Sequence, residues 1–406
     1  MRRPELLIPA GDLETLKIAV TYGADAVYLG GAQFSLRAKA KNFSLQDLKE
    51  GIFFAHRRNV KIYVALNIFA HNEELEKIRE FLFQLKEVTP DALIVSDTGI
   101  LMMVKEILPD TEIHISTQWS NANYKTYNFW YGLGAKKVVA ARELTLDEIK
   151  EIRHNIPEDL QIECFIHGAM CISYSGKCLL SSCFTGKDSN HGECTHPCRW
   201  KYTVYEQMDG GGYRQEENRY VHLLNSKDLC MIDHIPDLMD AGIDSFKIEG
   251  RMKNILYVAS VTRAYRKAID EYMENPAIYR GNIKIYLDEI NRCASREFST
   301  GCFYGKPDET FQSYENDSYI RKYIYLGFVE KAEDDGRSVI TQRNKFCVGD
   351  EVEVMKPDGR NIKVKVHAIY DENNMTMESA PHSKQKLFLD LGMNLERYDV
   401  LCKKNL

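Results

Sequence analysis

The chain has 406 residues, 44% hydrophobic and 28% charged, with a formal net charge of −6 and 11 cysteines. This is a globular composition with room for two or three domains and a large core. It excludes a general basic field, so any nucleic-acid partner has to be held by a local patch. The opening M-R-R-P-E-L-L-I-P-A-G-D is not a signal peptide, and no apolar run approaches the roughly 20 residues of a membrane span. A cytoplasmic protein with no membrane partner is therefore expected. Thiols stay reduced there, and clustered cysteines point to metal or redox chemistry rather than disulfides.

In chain order, strand patterns fall at Leu6–Pro9, Ala26–Leu29, Lys61–Leu66, Ala92–Ser96, Glu112–Ser116, Lys137–Ala141, Gln161–Ile166 and Ser245–Glu249. Helical patterns lie between them at Leu13–Tyr22, Leu45–Arg57, Glu73–Lys86, Thr98–Ile107 and Leu146–His154, and later at Lys227–Met239 and Leu256–Tyr272. Such alternation predicts an α/β fold, a TIM-like (β/α)8 barrel over 1–276, with a doubly wound open sheet as the alternative. P-A-G-D follows the first strand where a dinucleotide site would place G-x-G-x-x-G. A cysteine-rich insertion occupies about 168–225, and 277–318 reads as a connector. From Tyr319 to 406 short alternating runs separated by D-D-G and P-D-G turns predict a small all-β C-terminal domain, a β-barrel or sandwich.

Active sites of such barrels lie where the strands end. The residues there include Gly11, Asp12, Asn67, Asp97, Gln118, Arg142, Glu143, His167 and Arg251. Asp12 and Asp97 also suit helix N-caps. Arg142, Lys247 and Arg251 suit a carboxylate or phosphate. With His167 and Glu249 they are the catalytic candidates.

Seven of the eleven cysteines fall between 164 and 230. Thiolates favour iron–sulfur clusters and zinc, and an all-thiolate site needs four. Cys164, Cys293, Cys302, Cys347 and Cys402 read as small apolar fillers. Cys171, Cys178, Cys194 and Cys230 are the metal candidates, with Cys198 in reserve. Only Cys194 and Cys198 have the tight spacing of structural zinc. His167, one helical turn's spacing before Cys171, also leaves a catalytic thiol open.

The run E-x-F-x-x-G-A-M-C-x-x-x-x-G-x-C-x-L-S, from Glu163 to Ser181, resembles the signature of the collagenase-like peptidase family of unassigned catalytic type. The N-terminal L-L-I-P-A-G-D, H-P-C-R-W, S-F-K-I-E-G-R-M-K and R-E-F-S-T-G segments are similar to it as well. Layout is most similar to the branch acting in prephenate-dependent tRNA hydroxylation. The resemblance implies a tRNA substrate, hydroxylation of the wobble uridine to 5-hydroxyuridine, prephenate as co-substrate and a second subunit of the same family. It also implies a 4Fe-4S cluster on Cys171, Cys178, Cys194 and Cys230, with the nearby Cys198 competing for the place of Cys194. The alternatives are a cysteine- or metal-dependent peptidase and a zinc-stabilised RNA-binding scaffold. In the terminal domain, Tyr319, Tyr323, Tyr325, Phe328 and Tyr370 are candidates for base stacking or for its core. Lys363, Lys365 and His367, extended by Arg343 and Lys345, make the basic patch expected to meet RNA.

Overall fold

Eight strands close on themselves in the computed structural model, which describes residues 2–31, 43–293, 296–314 and 321–405, with backbone alone at 215–221 and 309. Two compact units result: Met1–Leu13, Asp25–Met252 and Arg296–Tyr319 form one, and Glu14–Ala24, Lys253–Ser295 and Ile320–Leu406 the other.

Strands β1 (Glu5–Pro9), β2 (Ala26–Gly30), β3 (Lys61–Leu66), β4 (Ala92–Val95), β5 (Glu112–Ile115), β6 (Lys137–Val139) and β7 (Gln161–Ala169) pair in parallel, each with the next. After β7, β8 (Tyr202–Gln207) and β9 (Tyr213–Val221) form a separate two-stranded ribbon. Strand β10 (Asp228–Cys230) then runs antiparallel on β7. Strand β11 (Ser245–Ile248) pairs in parallel with both β7 and β1, which closes the barrel and rules out the open sheet. A short β12 (Phe298–Ser299) extends β10. The barrel strands are buried along nearly their whole length, as parallel strands covered on both faces must be, which explains their unbroken apolar runs.

The helices in chain order are α1 (Leu13–Thr21), α2 (Leu45–His56), α3 (Leu75–Val88), α4 (Thr98–Ile107), α5 (Tyr124–Gly132), α6 (Leu146–His154), α7 (Leu180–Thr185), α8 (Ile235–Asp240), α9 (Ile255–Glu274) and α10 (Pro276–Ile290). Side-chain caps start several of them. Ser44 and Thr145 make reciprocal capping boxes with Asp47 and Glu148, and Asp97 accepts from the Ile100 amide at 2.9 Å. The cap role anticipated for Asp97 is therefore its role in the fold. Among the described residues no helix is long and apolar enough to cross a membrane.

One helical expectation needs correction. The stretch 227–239 opens as β10 and is helical only from Ile235, because Asp228–Cys230 finds hydrogen-bond partners on β7 and Pro236 fits the first helical turn. The stretch 277–318 carries α10 over most of its first half. Helix α5 was not anticipated: only Tyr127 and Trp130 are buried on it, so its apolar period is weak.

The second unit contains strands β13 (Tyr323–Ala332), β14 (Ser338–Thr341), β15 (Phe346–Cys347), β16 (Glu351–Met355), β17 (Asn361–Lys365), β18 (Ala368–Tyr370), β19 (Thr376–Met377), β20 (Ser379–Ala380), β21 (Lys386–Asp390) and β22 (Val400–Lys404). Eight of them form an antiparallel sheet in the order β17-β16-β22-β13-β14-β21-β18-β19 around a core that includes Leu326, Val354, Leu387 and Leu401. Tyr325 and Phe328 are buried and so belong to the core, whereas Tyr323 and Tyr370 are half-exposed beneath Arg292 and Arg337. Tyr319 lies outside the described residues. Lys363 and Lys365 are exposed on edge strand β17, alternating with half-buried Ile362 and Val364. Arg343 does not extend this patch: its guanidinium donates to Glu14 at 2.6 Å.

Candidate functional site

The strand ends of the barrel open into a cavity of about 490 Å³, within the range of small-molecule sites. Arg142, Lys247, Glu249 and Arg251 line it from the barrel, together with Tyr28, Asn67, Gln118 and Phe165. Across from them the insertion contributes Cys171, Cys178, Cys194, Cys198, Arg199 and Trp200. Glycine lets the rim close tightly. A Cβ on Gly11 would overlap the Arg251 carbonyl oxygen, and Gly168, at φ +109°, lies against the backbone of Glu249. The glycine of P-A-G-D thus serves close packing.

Beneath the cavity runs a chain of buried charges. Lys247 Nζ donates to Glu163 Oε1 at 2.7 Å, and Glu163 Oε2 lies 3.6 Å from Lys137 Nζ. Lys137 donates to Glu5 at 2.5 Å, and Glu5 accepts from Tyr63 at 2.6 Å and Ser245 at 2.8 Å. Burial opposes the charge on Glu5, but Lys137 outweighs it and brings its carboxyl down to about 2. Glu163 is likewise held below the usual carboxylate range against its burial, by Lys247 and Lys137. Burial, with repulsion from Lys137 and Arg142, outweighs Glu163 and leaves Lys247 below the ordinary lysine value. His114, buried beside Lys137, is pushed down and stays neutral. Two cations and two anions therefore alternate, as buried charges require. Lys247 also lies over the rings of Tyr28 and Phe165, at 4.5 and 5.2 Å.

Arg142 is half-buried on the Phe165 ring at 4.4 Å, with one long bond, 3.5 Å, to the Ala169 carbonyl. Its Nε has no hydrogen-bond partner among the described residues. The Glu249 amide donates to the His167 carbonyl at 2.8 Å. His167 is on strand β7, not a helix, so the turn spacing to Cys171 does not bring the pair together. Register between β7 and β11 shifts by one residue at Lys247/Ile248, and His167 pairs with Ile248. Its buried ring packs on Phe298, 5.6 Å away.

The insertion is tied to the barrel by polar side chains. Glu143, at the end of β6, accepts from the amide and hydroxyl of Ser175 at 2.6 and 3.1 Å. Arg199 donates to Met170 O, Ser226 O and Asn225 Oδ1 at 2.8, 3.2 and 2.9 Å. Asn190 brackets the backbone of Cys178. Three sulfurs already have hydrogen-bond neighbours: Ser173 at 3.0 Å for Cys171, the Leu180 amide at 3.4 Å for Cys178 and Ser181 at 3.6 Å for Cys194. Burial, with repulsion from the other three thiols, pushes Cys198 up to about 11 although Arg199 opposes it. Four thiols on one wall are the kind of ligand that soft metals and iron–sulfur clusters take once deprotonated. Among the described residues no three His, Cys, Asp or Glu side chains already stand at closed metal-ligand spacing. Cys230 is buried on β10, in register with His167. Of the candidate thiols, Cys171, Cys178, Cys194 and the reserve Cys198 line the cavity, whereas Cys230 is not among its lining residues. Glu163 and Lys137 were missed as site residues, since charged residues on a strand normally signal an exposed face.

The family described as Peptidase family U32 matches residues 11–313, and the Peptidase family U32 C-terminal domain matches 321–401. The chain is 42% identical over 407 residues to tRNA hydroxylation protein P1 of Bacillus subtilis, covering 99% of this chain and 95% of that one. It is 34% identical over 447 residues to tRNA hydroxylation protein P of Escherichia coli, covering 100% and 97%. A 23S rRNA 5-hydroxycytidine synthase of Escherichia coli is 42% identical over 272 residues, covering 67% of this chain and 40% of that one.

Proposed function

Because the chain belongs to peptidase family U32, and relatives spanning its full length are named as tRNA hydroxylation proteins, we propose that it is a cytoplasmic tRNA hydroxylase. Its substrate is the wobble uridine, its product 5-hydroxyuridine and its co-substrate prephenate. Cys171, Cys178 and Cys194 from the cavity wall and Cys230 from β10 hold a 4Fe-4S cluster, with Cys198, which also lines the wall, as the reserve ligand.

One observation carries this reading: a single cavity joins cationic strand ends to a wall of thiols. Arg142, Arg251 and Lys247 supply the positive charge that a dicarboxylate needs, and Tyr28 and Phe165 supply flat apolar surface for its ring. The Lys247–Glu163 pair fixes the ammonium in place, so binding the anion costs little reorganisation. A bound cluster would supply one-electron chemistry at this wall. Eleven cysteines without a disulfide fit a reducing compartment.

The test is anaerobic purification with iron and sulfide analysis, followed by mass spectrometry of tRNA incubated with the protein and prephenate. Iron lost in Cys→Ala variants at 171, 178, 194 and 230 but kept at 198 supports the ligand set. A colourless protein whose tRNA never gains an oxygen atom refutes the reading.

A further inference from the structure

Seven of the twenty large apolar side chains that stand exposed among the described residues lie between 174 and 213. That density is out of keeping with scattered surface residues and marks an interaction surface. It is continuous with the cavity. Trp200 lines the cavity wall and is still 40% exposed. Phe184, 53% exposed on α7, meets Trp200 edge to face at 5.9 Å and Tyr202 at 6.3 Å. The β8–β9 ribbon continues from Tyr202 and, among the described residues, pairs with no other strand. On the rim, the Lys177 ammonium sits 5.7 Å from the ring centres of both Phe69 and Trp119. Among the described residues its contacts are two rings rather than a carboxylate, so its charge remains available to a passing phosphate.

Exposed aromatic faces with a cation near them, leading to a cavity of nucleotide size, are what unstacked RNA requires: rings for the bases and an ammonium group for the backbone. We propose that Trp200 and Phe184, with Lys177, form a stacking surface for the single-stranded nucleotides flanking the base that enters the cavity. The occupant is an RNA loop. A duplex, whose bases are already stacked, offers these rings nothing. The inference rests on the reading that RNA is the substrate and adds how the loop is gripped.

The test uses a short, end-labelled RNA hairpin with a uridine-containing loop and, as control, a blunt duplex of the same stem. Anisotropy titrations across a salt series compare the parent with Phe184→Ala, Trp200→Ala, Trp200→Phe and Lys177→Ala. Each aromatic→Ala change should weaken loop binding roughly 5- to 150-fold, the loss of one stacked base, without altering the salt slope. Trp200→Phe should restore most of it, and duplex binding should not move. Lys177→Ala should lower the salt slope by about 0.7, as for one single-strand phosphate. Unchanged loop affinity in Phe184→Ala and Trp200→Ala, or equal losses on loop and duplex, overturns the proposal. Phe184 is half exposed, so its variant remains informative if Trp200→Ala misfolds. Hydroxylation by the parent, followed separately by mass spectrometry, distinguishes the failure of this surface from the failure of the functional reading.

Discussion

Glu163→Gln should destabilise the barrel unit by about 3–5 kcal/mol, the usual result of stripping one partner from a buried pair. Glu163 is wholly buried and faces Lys247 at 2.7 Å, Ser245 at 3.2 Å and Lys137 at 3.6 Å. Lys137 keeps Glu5 after the change, whereas Lys247 loses the one carboxylate it pairs with among the described residues. Nearly all of the loss should therefore come from Lys247. At 2–4 °C per kcal/mol, the barrel transition should fall by roughly 6–20 °C. The variant's penalty should also depend on pH. With its lysine pushed further below the ordinary value, the unfolded chain binds a proton that the folded chain does not, so stability rises with pH toward about 10.4. Thermal unfolding followed by near-ultraviolet circular dichroism gives both readings. Glu163→Gln combined with Lys247→Met should cost less than Glu163→Gln alone, because it removes the stranded charge. A double variant whose loss equals the sum of the single losses would refute the argument.

Arg142→Ala should raise the prephenate concentration needed for half-maximal hydroxylation, by about 2–5 kcal/mol in binding if the co-substrate carboxylate is left buried, with iron content unchanged. Lys363→Gln and Lys365→Gln should each lower the salt slope of tRNA binding by about 0.7–0.9, and Lys345→Gln should serve as a comparison. The insertion should loosen as pH rises. Burial works against the charged His191 ring, but Asp188 at 2.6 Å and Glu74 at 3.3 Å outweigh it and raise its pKa. The clasp they make with the loop is therefore complete below about 6.5 and is lost as pH passes the raised value. Amide exchange around Asn190 should report this, and His191→Gln should abolish the pH dependence.

The eight barrel strands were legible in the sequence because their signal is local: short apolar runs, covered on both faces, most of them followed closely by Gly, Asp, Asn or Arg. The change to short alternating strands after residue 320 was equally local. Bunched thiols pointed to a metal-type site without any knowledge of the fold. Closure of the barrel was not local, since it depends on β11 reaching β1, with Ser245 opposite Glu5, 240 residues away. The fold also decided that Lys137 and Glu163 belong inside, where each offsets the other's desolvation, although any single-sequence rule places such residues in water. A one-residue register shift then moved His167 off the cavity and onto Phe298. Arg343, expected on an open basic patch, is committed to Glu14. Sequence periodicity carries the covalent neighbours of a residue and the face it presents. It does not carry the charge that a distant segment brings to that face, and in this protein that charge decides which residues make the site.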